Sequence, residues 1–138
     1  DALRAEVAAM RERQIQDKGS RDPALFDIKN DRGGLTDIEF IVQYLVLAAA
    51  HDHPEMVDYT DNIRLLRAAT AAGALTAAES HRLAGAYRAY RRRLHQLALQ
   101  DESHRIDATA LRAERDAVRT LWEQRMVAPD GHPPGGSP

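Results

Sequence analysis

The sequence predicts an all-α fold, an antiparallel, up-down bundle of about five helices. Apolar residues recur at steps of three and four along most of the 138 residues, which is the period of one helix face. Alanine is abundant, aromatic residues make up only 5%, and strand-type alternation is nearly absent. Because short loops join the predicted helices, neighbouring helices should run antiparallel. We therefore expect a single helical domain over residues 1–127.

The first predicted helix covers residues 2–17, and Lys18-Gly19-Ser20 ends it. Arg4, Glu6, Arg11 and Glu12 lie away from the apolar line of this helix, so the pattern predicts an amphipathic helix. The residues on that line are Leu3, Val7, Met10 and Gln14. Residues 20–34 follow as a loop, in which residues 26–29 alternate with period two and are expected to form a short extended piece.

The second helix, at about residues 37–50, is expected to be the centre of the bundle. Gln43 alone interrupts its apolar run, and an element that is apolar on every side must be buried on every side. Its apolar residues are Ile38, Phe40, Ile41, Val42, Tyr44, Leu45, Val46 and Leu47. Thr36 and Glu39 match a capping box at its start, and His53-Pro54 should end it.

Three further helices are predicted from cap residues and apolar seams. Thr60 or Asp61 begins the third helix and Gly73 ends it. Thr76 and Glu79 form a second capping box, and the fourth helix that follows has a long one-sided seam. That seam consists of Leu83, Tyr87, Tyr90, Leu94 and Leu97. A final helix, at about 108–127, has Leu111, Val118, Trp122 and Met126 or Arg125 along one line.

Composition and charge narrow the possible functions. Nineteen basic and 21 acidic residues give a net charge of -2, which argues against a nucleic-acid binder. The chain has no cysteine, which fits a reducing cytoplasm and excludes thiolate metal sites. The apolar run at 38–50 is too short to cross a membrane, and no signal peptide precedes it. Because Asp1 is not an initiator residue, we expect a piece of a longer protein, with residues 128–138 as a disordered Pro/Gly tail.

The loop before the second helix is the main candidate site. Lys29, Arg32 and the pair Gly33-Gly34 suit a phosphate group, because two cations and backbone amides at a helix start would point at one spot. The alternative is a purely structural loop, held by salt bridges to Asp27, Asp31 or Asp37. This glycine pair is neither a P-loop nor a dinucleotide fingerprint.

Asp37 and Glu39 resemble the paired carboxylates that hold Mg²⁺ in many nucleotidyl transferases. On a helix, however, residues i and i+2 point about 200° apart, so these two cannot share one ion. We expect both to stabilise the start of the helix, and the alternative is that Asp37 alone reaches a neighbouring catalytic domain. No metal site and no catalytic residue are predicted in this chain, since no serine or histidine has the sequence context of a nucleophile.

Two other groups of residues have weaker functional interpretations. His51-Asp52-His53 is similar to the His-Asp pair of metal-dependent phosphohydrolases, but no second histidine follows at helical i+4 spacing. Arg88, Arg91 and Arg92 lie opposite the fourth helix's apolar seam, with Arg93 and His95 at the flanks. Such a cluster is usually a solvated face, and the alternative is a docking surface for an acidic protein or for phosphate.

A family resemblance is visible in three ordered motifs. The residues Lys29, Gly33, Gly34, Asp37, Ile38, Glu39, Phe40, Val42 and Gln43 resemble the signature of glutamine synthetase adenylyltransferases. Two later stretches, residues 60–66 and 90–99, resemble further motifs of this family in the same order and at similar spacing. The match extends from about Met10 to Val127.

This resemblance implies an activity and a set of partners. Enzymes of this family transfer AMP from ATP to a tyrosine of glutamine synthetase with Mg²⁺, and a second homologous half removes it. The signalling protein PII and glutamine set the direction. The chain resembles the helical domain of the C-terminal, adenylylating half, with Lys29, Arg32, Gly33, Gly34 and Asp37 near the nucleotide.

The fragment alone should be inactive, because it lacks the glycine-serine loop and the D-x-D metal pair of the family's nucleotidyltransferase domain. It should pack against that domain, with Mg²⁺ and ATP bound by the parent enzyme. Competing hypotheses are a stand-alone helical interaction module and a bundle-type phosphohydrolase that uses His51 and Asp52.

Overall fold

The computed structural model describes residues 2–49 and 61–127, and the predicted helical bundle is confirmed. Within these residues five helices are present, and a two-stranded antiparallel sheet joins two loops. The elements are α1 (Ala2–Lys18), β1 (Leu25–Asp27), α2 (Leu35–Ala49), α3 (Asn62–Ala71), α4 (Ala77–Leu99), β2 (Arg105–Asp107) and α5 (Arg112–Met126). His51-Asp52-His53, Thr60 and the predicted tail at 128–138 lie outside the described residues.

Helix α2 is the centre of the bundle, as predicted. It packs against α1, α3, α4 and α5, and Ile38 and Ile41 are completely buried. Burial on every side, however, was wrong, because Leu47 is 55% exposed near the end of the helix. The buried apolar core consists of Phe26, Ile28, Leu35, Ile38, Ile41, Val42, Leu45, Leu65, Leu66, Ala69, Leu75, Leu83, Ala86, Tyr90, Leu97, Ile106, Val118, Leu121 and Met126.

The caps of α3 and α4 follow the sequence prediction. The Asp61 carboxylate accepts the Ile63 amide at 2.8 Å, and Gly73 follows α3 with a positive φ of 82°. At the start of α4 the capping box is complete, because Thr76 and Glu79 each accept the other's backbone amide. Local hydrogen bonds of this kind need only neighbouring residues, so the sequence suffices to predict them.

The predicted buried side of α1 was wrong. Met10 is 52% exposed, whereas Arg11 is completely buried. The apolar line of this helix is short and weak, and burial of Arg11 is favoured instead by hydrogen-bond acceptors that belong to the loop and to α2.

The start of α2 also differs from the prediction. The helix begins at Leu35, and the backbone amide of Thr36 donates to the carbonyl of Lys29 at 3.1 Å rather than to a capping carboxylate. The predicted box between Thr36 and Glu39 is therefore wrong, because the preceding loop supplies the acceptor.

Strand β2 was not predicted, and the last helix begins later than expected. The register pairs Phe26 with Ile106, so the predicted extended piece at 26–29 corresponds in part to β1. Helix α5 begins at Arg112 instead of about residue 108, after Leu111 in a left-handed conformation with φ of 55°. β2 was not visible in the sequence because it forms by pairing with β1, which lies far away along the chain.

None of the helices in the described part of the chain combines the length and the apolar character that a membrane crossing requires.

Candidate functional site

The candidate site is the turn at residues 28–34 between β1 and α2, which we call the glycine loop. It closes on itself through backbone hydrogen bonds: the Leu35 amide donates to the Ile28 carbonyl at 2.7 Å, and the Gly34 amide donates to the Asp31 carbonyl at 2.9 Å. The Ile28 amide donates to the carbonyl of His104, next to β2. The loop is thus joined to both α2 and the small sheet.

Gly34 is required by the close approach of the loop to itself. A Cβ atom at this position would lie 2.4 Å from the carbonyl oxygen of Ile28 and 2.9 Å from that of Asp31. Both contacts are with backbone, which cannot move away as the end of a flexible side chain can. Only glycine therefore fits here.

Gly33 is required for a second reason, since its φ is 79° and α5 packs directly on it. A Cβ atom would lie 2.7 Å from both Cγ and the carbonyl oxygen of Arg115, and 2.8 Å from Cγ of Arg119. From α4, the buried Tyr90 hydroxyl donates to the Gly33 carbonyl at 2.5 Å. Two helices distant in sequence therefore meet at this glycine.

A buried ion pair supports the loop from beneath. The Arg11 Nε donates to the Asp37 carboxylate at 2.5 Å, and both side chains are almost completely buried. The same guanidinium donates to the carbonyls of Asn30 at 2.9 Å and Asp31 at 3.2 Å. The second Asp37 oxygen accepts the Gly33 amide at 2.7 Å. Asp37 therefore has a structural role, as the sequence predicted for it.

Two more buried carboxylates hold the loop's shape. Asp27 accepts the backbone amides of Lys29 and Asn30 at 3.1 and 3.0 Å, and its carboxylate lies 2.8 Å from His104 Nδ1 and 3.5 Å from Arg105 Nε. Asp31 accepts the Ser20 amide at 2.5 Å and the Asp27 amide at 2.8 Å. Each carboxylate thus satisfies backbone donors that would otherwise be buried without a partner.

The amide cradle expected at the glycine pair is not formed. The Gly33 amide donates to Asp37 and the Gly34 amide donates to the Asp31 carbonyl, so both are used inside the loop. Of the five predicted site residues, Gly33, Gly34 and Asp37 are buried, whereas Lys29 and Arg32 present their side chains to solvent. The two cations, rather than the glycine amides, are therefore the groups of this loop that can reach an anion.

Those two cations have different surroundings. Arg32 donates two hydrogen bonds to the Glu12 carboxylate, at 2.8 and 2.6 Å, and the hydrogen bond from Arg32 is the chief reason that the pKa of Glu12 is lowered. Lys29 is exposed, and within residues 2–49 and 61–127 no carboxylate lies at salt-bridge distance from its ammonium. Lys29 is therefore the better placed of the two to bind an external anion.

Two arginines of α5 that were not predicted from the sequence lie over the loop. Arg115 donates to the Arg32 carbonyl at 3.1 Å and lies 4.3 Å above the centre of the Phe26 ring. Burial, with Arg119 close by, lowers the pKa of Arg115. Arg119 is exposed. Their spacing of four residues was visible in the sequence, but no sequence pattern indicated that they would pack on Gly33, about 80 residues earlier.

Two cavities border the loop. A small one of about 60 Å³ lies beside Arg32 and Arg119, and a wide, open cleft of about 600 Å³ reaches Asn30. The cleft has the volume of a small-ligand site. Its lining includes the basic residues Lys18, Arg21, His104 and Arg105 and the acidic residues Asp17 and Asp22. Neither at these cavities nor elsewhere in the described residues do three His, Asp or Glu side chains lie close enough together to hold a metal ion.

The Tyr90 hydrogen bond to the loop gives a testable stability effect. Tyr90→Phe is expected to lower the free energy of unfolding by about 1–2 kcal/mol, since the buried Gly33 carbonyl would lose its donor. Tyr87→Phe, a partly buried tyrosine of the same helix, is the matched control and should change stability little. Urea unfolding of both variants measures this, and equal stabilities would contradict the proposed bond.

The same tyrosine predicts an alkaline effect with a definite sign. Burial raises the pKa of Tyr90 above its ordinary value, which is about 10 in the unfolded chain. Tyr90 therefore contributes stability below about pH 10 that is lost as the pH rises further, because only the unfolded chain ionises readily. Melting temperatures between about pH 8 and pH 11 should fall less steeply for Tyr90→Phe than for the wild type.

Comparison with known proteins agrees with the motifs. The sequence profile of the family described as GlnD PII-uridylyltransferase matches residues 1–125. Bifunctional glutamine synthetase adenylyltransferase/adenylyl-removing enzymes are 44% identical in Thioalkalivibrio sulfidiphilus, 48% in Nitrosococcus oceani and 39% in Pseudomonas aeruginosa. These alignments cover 91%, 87% and 90% of this chain, but only 13%, 12% and 14% of the respective relatives.

The chain thus spans about an eighth of the length of these curated relatives. The resemblance to glutamine synthetase adenylyltransferases is confirmed, and it includes the glycine loop and α2. Because the family profile matches residues 1–125, which include nearly all of the helical residues, the chain belongs to the GlnD PII-uridylyltransferase family.

Proposed function

We propose that this chain is a helical domain of an enzyme that adenylylates glutamine synthetase and removes the adenylyl group again. The proposal is supported by similarity, over about nine-tenths of the chain, to relatives that are named for these two activities. The observation that carries the role of the domain is the glycine loop, a rigid turn that exposes Lys29 without a carboxylate partner in the described structure.

In this proposal the domain takes part in transfer without performing the chemistry. Lys29 would contact a phosphate of ATP, and Arg32 would do so only after leaving Glu12. Gly33, Gly34 and Asp37 would hold the loop in shape beneath these side chains. Mg²⁺ would be held by a separate nucleotidyltransferase domain, because the described residues offer no group of ligands for it.

The wider setting is also proposed. Glutamine synthetase is the target that the relatives' names give, and the family description names PII, which we propose as a regulatory partner. We propose a cytoplasmic location for the enzyme, with which the absence of cysteine from this chain is consistent. Neither a nucleic acid nor a membrane is proposed as a partner, because the net charge of the chain is -2 and no described helix is long and apolar enough to cross a membrane.

The role of Lys29 can be tested in the full-length enzyme. Lys29→Ala is expected to lower kcat/KM for ATP about tenfold, which corresponds to the loss of one charge-assisted hydrogen bond. The thermal unfolding midpoint should stay unchanged, because this side chain is exposed. Arg13→Ala, an exposed cation on α1, is the matched control and should leave turnover unchanged. Wild-type turnover of the Lys29 variant would contradict the proposed contact.

A chemical experiment locates the contact independently. The chain contains only two lysines, Lys18 and Lys29, so an amine-reactive dialdehyde derivative of ATP has few targets here. We expect labelling of Lys29, measured by peptide mass spectrometry, and protection by unmodified ATP. Labelling of Lys18 alone would move the nucleotide to the far end of the open cleft, and unprotected labelling would contradict a site at this loop.

A further inference from the structure

The charges of this chain are strongly segregated between its helices. Helices α3 and α4 together contain seven arginines and one acidic residue, Glu79. The remainder of the chain has 12 basic and 20 acidic residues. Glu79 is already engaged, because the Arg125 guanidinium of α5 donates to it. The basic residues concerned are Arg64, Arg67, Arg82, Arg88, Arg91, Arg92 and Arg93.

Two of these arginines lie on an exposed stripe along the outer face of α4. His81, Gly85, Arg88, Arg92 and His95 follow one another at steps of four, three, four and three, and all are exposed. This spacing averages 3.5 residues, the period with which one helix packs along another. From His81 to His95, 14 residue steps along the helix, the stripe is about 21 Å long.

A groove between α3 and α4 adjoins the stripe. It has a volume of about 350 Å³, with Ile63 and Leu66 of α3 and Ala84 of α4 among its apolar lining residues. Its basic lining residues are Arg67, His81 and Arg88. A partner can also approach closely, because a Cβ atom added at Gly85 would meet no heavy atom within 4 Å.

We propose that the α3–α4 face, defined by this groove and stripe, binds an acidic amphipathic helix of a partner protein. An apolar side of such a helix fits the groove lining, and its carboxylates can form paired hydrogen bonds with arginine guanidinium groups. The face complements an acidic partner, whereas the acidic surplus elsewhere repels a long polyanion such as a nucleic acid. This inference does not depend on the proposed nucleotide contact of Lys29.

The energetic contribution should come mainly from the groove. Exposed charges at the edge of an interface chiefly speed association and exclude wrong partners, while side chains at the centre supply affinity. Arg67 and Arg88 belong both to the centre and to the edge of this face, since they line the groove and are also exposed to solvent. These two arginines are therefore the residues to reverse in charge.

Fluorescence anisotropy of the 138-residue chain tests the proposal with defined probes. The probe is a labelled helical peptide of about 20 residues with leucine along one face and glutamate elsewhere. A scrambled peptide of the same composition and a single-stranded DNA oligonucleotide are the comparison probes. We expect the amphipathic peptide to bind more tightly than either, with an affinity that falls as salt is added.

Charge reversal separates this face from general attraction. Arg67→Glu/Arg88→Glu should raise the Kd of the amphipathic peptide about tenfold or more. The control Arg13→Glu/Arg112→Glu changes the net charge equally on exposed positions of α1 and α5, and it should leave the Kd within about twofold. Circular dichroism melting of all variants checks that each is folded.

Three outcomes would overturn the proposal. Equal weakening in both double variants would mean attraction by net charge alone. Tighter binding of the oligonucleotide, lost in the groove variant, would assign the face to nucleic acid. A concentration-dependent dimer in sedimentation velocity, abolished by Arg67→Glu/Arg88→Glu, would make a second copy of the chain the occupant.

Discussion

Replacing Gly34 with alanine is expected to lower the free energy of unfolding by about 3 kcal/mol. The added Cβ would lie 2.4 Å from the Ile28 carbonyl oxygen and 2.9 Å from that of Asp31. Relief requires the loop to open, and opening would break the 2.7 Å hydrogen bond from Leu35 to Ile28 at the start of α2. Urea unfolding followed by circular dichroism measures the change.

Gly85→Ala is the control for this substitution. Gly85 lies within α4 with no heavy atom near the added Cβ, so alanine should raise stability by about 0.5–1 kcal/mol through its helix propensity. The same glycine-to-alanine change is therefore expected to lower the free energy of unfolding at Gly34 and to raise it at Gly85. A stability loss at Gly34 no larger than a few tenths of a kcal/mol would contradict the packed loop described here.

Replacing Arg11 with methionine should have an effect at least as large, a loss of about 3–5 kcal/mol. Methionine matches the length of the arginine stem but leaves the buried Asp37 carboxylate without its cation. It also removes the donors to the carbonyls of Asn30 and Asp31. The cost arises because a buried charge that loses its partner cannot be solvated instead.

Arg32→Met provides the matched comparison, since Arg32 also forms a two-bond contact with a carboxylate, that of Glu12. Both of those side chains are about half exposed, so water replaces the lost bonds and the cost should be at most about 1 kcal/mol. If Arg11→Met and Arg32→Met prove equally mild in denaturant melts, the buried pair does not hold the loop.

Both substitutions examine whether the glycine loop is a rigid support. Arg11 and Asp37 join α1 and α2 beneath it, and Tyr90 and Arg115 join α4 and α5 to its carbonyl groups. Variants that loosen these contacts should weaken any anion binding at Lys29 indirectly, along with stability. Lys29→Ala, by contrast, should act on binding alone, which distinguishes the site from its support.

Features that depend on neighbouring residues were predictable. The Thr76–Glu79 capping box, the Asp61 cap and the stop at Gly73 each need only a few adjacent residues. The seam of α4 is long and regular enough that Leu83, Tyr90 and Leu97 were correctly expected inside. Dense apolar character likewise identified α2 as the central helix before its four neighbours were known.

Features that depend on distant residues were not predictable. Arg11 is inside and Met10 outside because the acceptors for Arg11 lie on the loop and on α2. β2 exists because residues 105–107 find β1 about 80 residues earlier in the chain. The amides of Gly33 and Gly34 were expected to face a ligand, but Asp37 and the Asp31 carbonyl accept them instead.

The amino-acid sequence alone determined the helical class, the central helix, most helix ends and the family of this chain, because periodicity, caps and motifs are local properties. Tertiary structure decided which polar groups are buried and which are left for a partner. Asp27, Asp31, Asp37 and Arg11 are satisfied inside the protein, whereas Lys29 is exposed. Burial of a charge is possible only where distant groups supply its hydrogen bonds, and no local pattern records where those groups will lie.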